Sequence, residues 1–126
     1  MKNRFDILEE KFRKNCPKSM QILDDALQMM IDSNLPEVTS YFLMDELPKD
    51  HQERANVIMN FQELLLNNGY GNIAQEYGNV SLNGGNPYKS CYSVFITDNP
   101  KVIPTKKDKY FPIYTKEKPF KLLQKD

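Results

Sequence analysis

Apolar residues recur at helical spacing through the first half of the chain and alternate in the second. Phe5, Leu8 and Phe12 fall at i, i+3 and i+7, which predicts a first helix over 3–14, with Glu9, Glu10, Arg13 and Lys14 around the rest of it. Pro17 ends it, because the residue before a proline is pushed out of helical geometry. Ile22, Leu23, Ala26, Leu27, Met30 and Ile31 make a broad apolar face, predicting a second helix from 17–19 to 32 with proline in its first turn. Asn34, with Glu37 three residues on, reads as the capping box of a third helix that stops before Pro48. Val38, Tyr41, Phe42 and Leu47 would be its inward residues. Asp50 and Glu53 read as the cap of a fourth helix, and Asn67-Asn68-Gly69 as its stop. Its apolar face is Arg54 or Val57, then Ile58, Phe61, Leu64 and Leu65.

The period then changes. Residues 72–76 and 79–83 flank Tyr77-Gly78 and read as two short strands joined by a tight turn. Residues 88–97 have apolar side chains on both faces, which predicts a strand partly buried on each side. Prolines at 100, 104, 112 and 119 forbid a long helix after that and predict an extended arm with a short strand. The expected fold is α+β. A single domain over 1–100 carries an extra N-terminal helix (1–14), and an arm occupies 101–126.

Charge sharpens the division between body and arm. Residues 1–66 hold 8 Lys/Arg against 12 Asp/Glu, while residues 67–126 hold 9 Lys against 5 Asp/Glu. The eight lysines from Lys101 to Lys125 face only Asp108 and Glu117, so the arm alone offers a basic surface. A composition of 40% hydrophobic and 27% charged residues excludes a wholly disordered chain. No apolar run approaches a membrane span, and the first residues have no apolar signal core, so a cytoplasmic protein with reduced Cys16 and Cys91 is expected.

Catalytic chemistry is not indicated. His51 is the one histidine, and no motif brings it a nucleophile and an orienting acid. One histidine and two isolated cysteines cannot supply a tetrahedral zinc set, and the glycines form no phosphate loop, so neither a metal nor a cofactor is expected. Two features remain. The polar face of the fourth helix carries Gln52, Arg54, Asn56 and Asn60, residue types that read bases in a major groove and are also ordinary helix-surface choices. The arm interleaves Tyr110, Phe111, Tyr114 and Phe120 with lysines, a pattern that suits nucleic acid, an acidic protein or docking on its own domain.

The succession Val57-x3-Phe61-x2-Leu64-x4-Gly69-Tyr70, then Ile73, then Gly78-Asn79-Val80-Ser81-Leu82-Asn83, resembles the exit of a recognition helix and the return strand of a wing. Residues 17–83 thus resemble the winged helix-turn-helix domain of bacterial and phage regulators. The resemblance implies that the fourth helix lies in a major groove, with Gln52, Arg54, Asn56 and Asn60 toward the bases. It places the wing tip at Glu76, Tyr77, Gly78 and Asn79, with Tyr77 and Asn79 as contacts. Lys106, Lys107 and Lys109 of the arm would add phosphate contacts. This wing has Glu76 where Arg or Lys is usual, and Asn83 where the return strand usually has threonine. The implied function is a small non-enzymatic DNA-binding regulator. The alternative is a protein-interaction module, an adaptor or inhibitor, with the arm as a partner contact. Phe5, Leu8 and Phe12 would support a homodimer in either case.

Overall fold

The computed structural model describes the backbone of residues 1–81, 88–101, 110–113 and 121–124, with side chains over 1–76 and 90–101. The class is α+β. The order is α1 (Arg4–Asn15), α2 (Pro17–Asp32), β1 (Glu37–Leu43), a one-turn 3-10 helix (Met44–Glu46), α3 (His51–Asn67), β2 (Gly71–Ser81) and β3 (Tyr88–Thr97). Two short strands follow, β4 (Tyr110–Ile113) and β5 (Lys121–Gln124). β1, β3 and β2 form an antiparallel sheet in that order, and β4 pairs with β5 separately. This layout accommodates a winged-helix arrangement, with its middle helix reduced to the 3-10 turn.

Local chemistry accounts for the helices. Asn3 caps α1, its side chain accepting from the Phe5 and Asp6 N–H groups while Asp6 accepts from the Asn3 N–H. The predicted stripe turns inward within the chain: Phe12 is buried, and Phe5 and Leu8 pack against the core. α3 starts on Asp50, whose carboxylate accepts the Glu53 N–H at 3.0 Å. It ends at Gly69, where φ is +93°. There the Tyr70 N–H reaches the Leu65 carbonyl at 2.9 Å and the Gly69 N–H the Leu66 carbonyl at 3.0 Å, a Schellman closure that requires the left-handed residue.

Residues 37–43 depart from the expected third helix and form β1. The reason lies at Asn34, which has φ +50° and closes α2 instead of capping a new helix. The Leu35 N–H donates to the Met30 carbonyl at 2.9 Å and the Asn34 N–H to the Ile31 carbonyl at 3.2 Å. With Asn34 used as a stop, Val38-Thr39-Ser40-Tyr41-Phe42 is a β-branched and aromatic run buried on both faces. A helix would have left Thr39, Ser40 and Leu43 outside; all three are buried.

The expected turn at Tyr77-Gly78 is also not a turn. β2 runs through it, and its register with β3 shifts between Tyr77 and Asn79. Gly78 is the extra residue of a bulge. The wing-like hairpin is therefore β2–β3, and its connection lies at 82–87, outside the described residues.

The core sits between the helices and the sheet. Phe12, Phe42 and Phe61 meet edge to face, with centroids 4.9 to 6.0 Å apart, joining α1, β1 and α3 at one point. A second node is polar. α2 has no side-chain cap of its own; Glu46, from the 3-10 turn, supplies one. Its carboxylate accepts the Lys18 N–H at 2.9 Å, the Ser19 N–H at 2.6 Å and the Ser19 hydroxyl at 2.6 Å. Ser19 Oγ in turn accepts the Leu43 N–H at 2.9 Å, tying the end of β1 to the start of α2.

Candidate functional site

The helix expected to make contacts is α3, and its burial divides the four candidate side chains. Ile58, Phe61, Leu64 and Leu65 face the core. Residues four apart lie on one row of a helix, so Gln52 and Asn56 stand together on the outer side. Both are exposed, and the Gln52 Nε2 donates to Asn56 Oδ1 at 3.4 Å. Asn60 continues the row but is half-buried, at the rim of a cleft. Arg54 lies two residues from Gln52, or about 200° around the helix, and so points to the opposite side. There its guanidinium donates to the Lys49 carbonyl at 2.7 Å, and Nη2 lies 3.3 Å from His51 Nδ1. The structure thus groups Gln52, Asn56 and Asn60 and separates Arg54 from them. His51 is exposed beside Arg54, a helix-start position.

The rest of the outer side was not singled out by residue type. Met59 is 58% exposed and Leu66 47%, both on the flank of the Gln52–Asn56 row. Glu63 shares that side and is bound by Arg4 of α1, whose Nη2 donates to Oε2 at 3.0 Å. The face is therefore amide-bearing and apolar, and its carboxylate already has a cation. Helical wheel counting could have found Met59 and Leu66, because both fall opposite the buried stripe.

Tyr77 and Asn79 are in the body of β2, on either side of the bulge, and not at a wing tip as expected. Lys106, Lys107 and Lys109 lie outside the described residues.

A cleft of about 470 Å³ opens between α1, the 3-10 turn and α3. Leu8, Phe12, Leu47 and Val57 line its apolar part, and Lys11 and Asn60 its polar part. Among the described residues, no three His, Cys, Asp or Glu side chains converge to hold a metal ion, and no helix is long and apolar enough to cross a membrane.

Neither cysteine is in a disulfide, and both are buried. Burial, with the nearby Glu46 charge, pushes the Cys16 thiol up to about 11. Burial alone pushes Cys91 up to about 12. A raised thiol pKa keeps the neutral S–H form through neutral pH, and the thiolate is the nucleophile, so neither group is poised for covalent chemistry. The expected outcome is that a disulfide reagent at about pH 8 labels neither thiol in the native protein and both in denaturant. Rapid native labelling of either would contradict the burial.

No known family, curated protein or solved structure matches the chain.

Proposed function

We propose that the protein is a non-enzymatic docking module that binds another protein through the outer side of α3. The observation that carries this reading is the exposure of Met59 and Leu66 on a side of α3 to which the helix itself brings no cation. Arg54 is tied inward to Lys49, and Arg4 is committed to Glu63. Duplex DNA is held chiefly by cations on its phosphates; α3 supplies none on this side, and among the described residues Lys11 of α1 is the lysine that lines the cleft with Asn60. A protein surface is held by apolar side chains at the centre with hydrogen-bonding groups around them. Met59 and Leu66 provide the first, and the Gln52, Asn56 and Asn60 amides the second. The partner surface that fits is an apolar groove flanked by backbone or amide groups.

A winged-helix DNA-binding regulator is the second reading. It is favoured by the adjacent, exposed amides of Gln52 and Asn56, which match the bidentate chemistry of adenine recognition. Salt-dependent retention of mixed-sequence duplex DNA separates the two. At about 50 mM salt, where phosphate contacts are strongest, the docking reading expects no retention. Retention that weakens steeply with salt and is lost in Gln52→Ala/Asn56→Ala would establish the regulator instead.

A further inference from the structure

The sheet has two faces, and the aromatic cluster identifies one of them. Phe42 meets Phe12 and Phe61, so its register partner Tyr92 shares the helix side, as do Val94 and Ile96. The opposite face carries Thr39 and Tyr41 of β1, Cys91, Ser93 and Phe95 of β3, and Ile73 and Gln75 of β2. An antiparallel sheet with helices on one side normally presents its other side to water, with polar residues there. This face is closed instead: Tyr41 is 1% exposed, Ser93 1% and Phe95 4%, while among the described residues its β2 margin opens at Ile73, 41% exposed.

α2 runs along β1 and meets its edge at Leu43 through Ser19. That does not account for the central strand. The remaining described element near this region is β4, whose backbone lies against β1 and which is paired with β5. The two strands read YFPI and KLLQ, short and largely apolar, and Pro112 is tolerated because β4 has only one sheet neighbour.

We propose that the β4–β5 pair is the intramolecular occupant of this second sheet face. These two strands are then part of the fold and not of a free arm for nucleic acid. The inference is independent of what α3 binds.

Cys91 lies on the covered face and Cys16 does not, so the two thiols report the cover separately. In the full chain, Leu123→Asp places a charge in β5 opposite Phe111. Native labelling of Cys91 is expected to rise at least about tenfold while Cys16 stays protected, the signature of local opening. Unchanged Cys91 protection in that variant would overturn the proposal. Should both thiols open together, the variant has unfolded as a whole, and the unaltered full chain decides. NMR contacts from the Phe95 or Tyr41 ring to residues 110–113 or 121–124 sustain the proposal, and their absence overturns it.

Discussion

Phe61→Ala is expected to cost about 3–5 kcal/mol of unfolding free energy, the range for removing a large aromatic from a closed core. The ring is 1% exposed and has Phe42 at 4.9 Å and Phe12 at 5.5 Å, both edge to face. Its loss therefore removes apolar burial and two ring contacts, and leaves a cavity whose walls belong to three different elements. Those walls cannot close without moving α1 or β1. Domains of this size are stable by only about 5–15 kcal/mol, so the variant would be near its unfolding limit at ambient temperature. Phe61→Leu keeps most of the volume and should cost distinctly less. Urea unfolding of the three proteins, compared at equal slope, checks this. A loss below about 1 kcal/mol for the alanine variant would mean that the aromatic cluster does not join the three elements.

Glu46→Ala is expected to cost about 2–3 kcal/mol, more than an exposed ion pair, because it leaves the N–H and hydroxyl of buried Ser19 without their acceptor. The carboxylate serves two N–H groups of the first turn of α2 and the Ser19 hydroxyl, and through that hydroxyl it orients the acceptor for Leu43. Glu46→Gln retains one acceptor oxygen and should fall between. The contrast is Glu63→Ala, which removes the exposed pair with Arg4 and should cost at most about 1 kcal/mol. If Glu46→Ala is as mild as Glu63→Ala, the cap is not a structural node.

Much of the helical framework was legible because its signals are local. α1, α2 and α3 each announce themselves by an apolar stripe, and Gly69 by the backbone conformation that a helix stop demands. The failures share a cause: residues whose chemistry serves two structural roles equally well. Asn34 suits a helix start and a left-handed helix stop. The choice between them depended on burial of Thr39 and Ser40, which is a tertiary fact. Gly78 suits a turn and a bulge. The choice depended on which strand β2 pairs with, and that strand is β3. Glu46 was invisible as a cap because it acts on backbone groups 27 and 28 residues away in sequence.

The site was less legible than the fold. Residue type put Gln52, Arg54, Asn56 and Asn60 together, whereas helical geometry separates Arg54 from the other three. That separation was available from spacing alone, since two positions along a helix are nearly half a turn apart. Removing the cation from the face changes its chemistry more than any other single observation. With Arg54 outward, the face would match a major groove. With Arg54 bound to Lys49, the exposed Met59 and Leu66 set its character.

The docking reading is tested most directly by a photo-crosslinking residue placed at position 59 of the full chain and activated in the cells that make it. A second chain carrying the same residue at position 21, exposed on α2, is the control. The prediction is a discrete protein adduct from position 59, lost when Leu66→Asp is added, with none from position 21. A DNA adduct at 59, or equal protein capture from both positions, would contradict it.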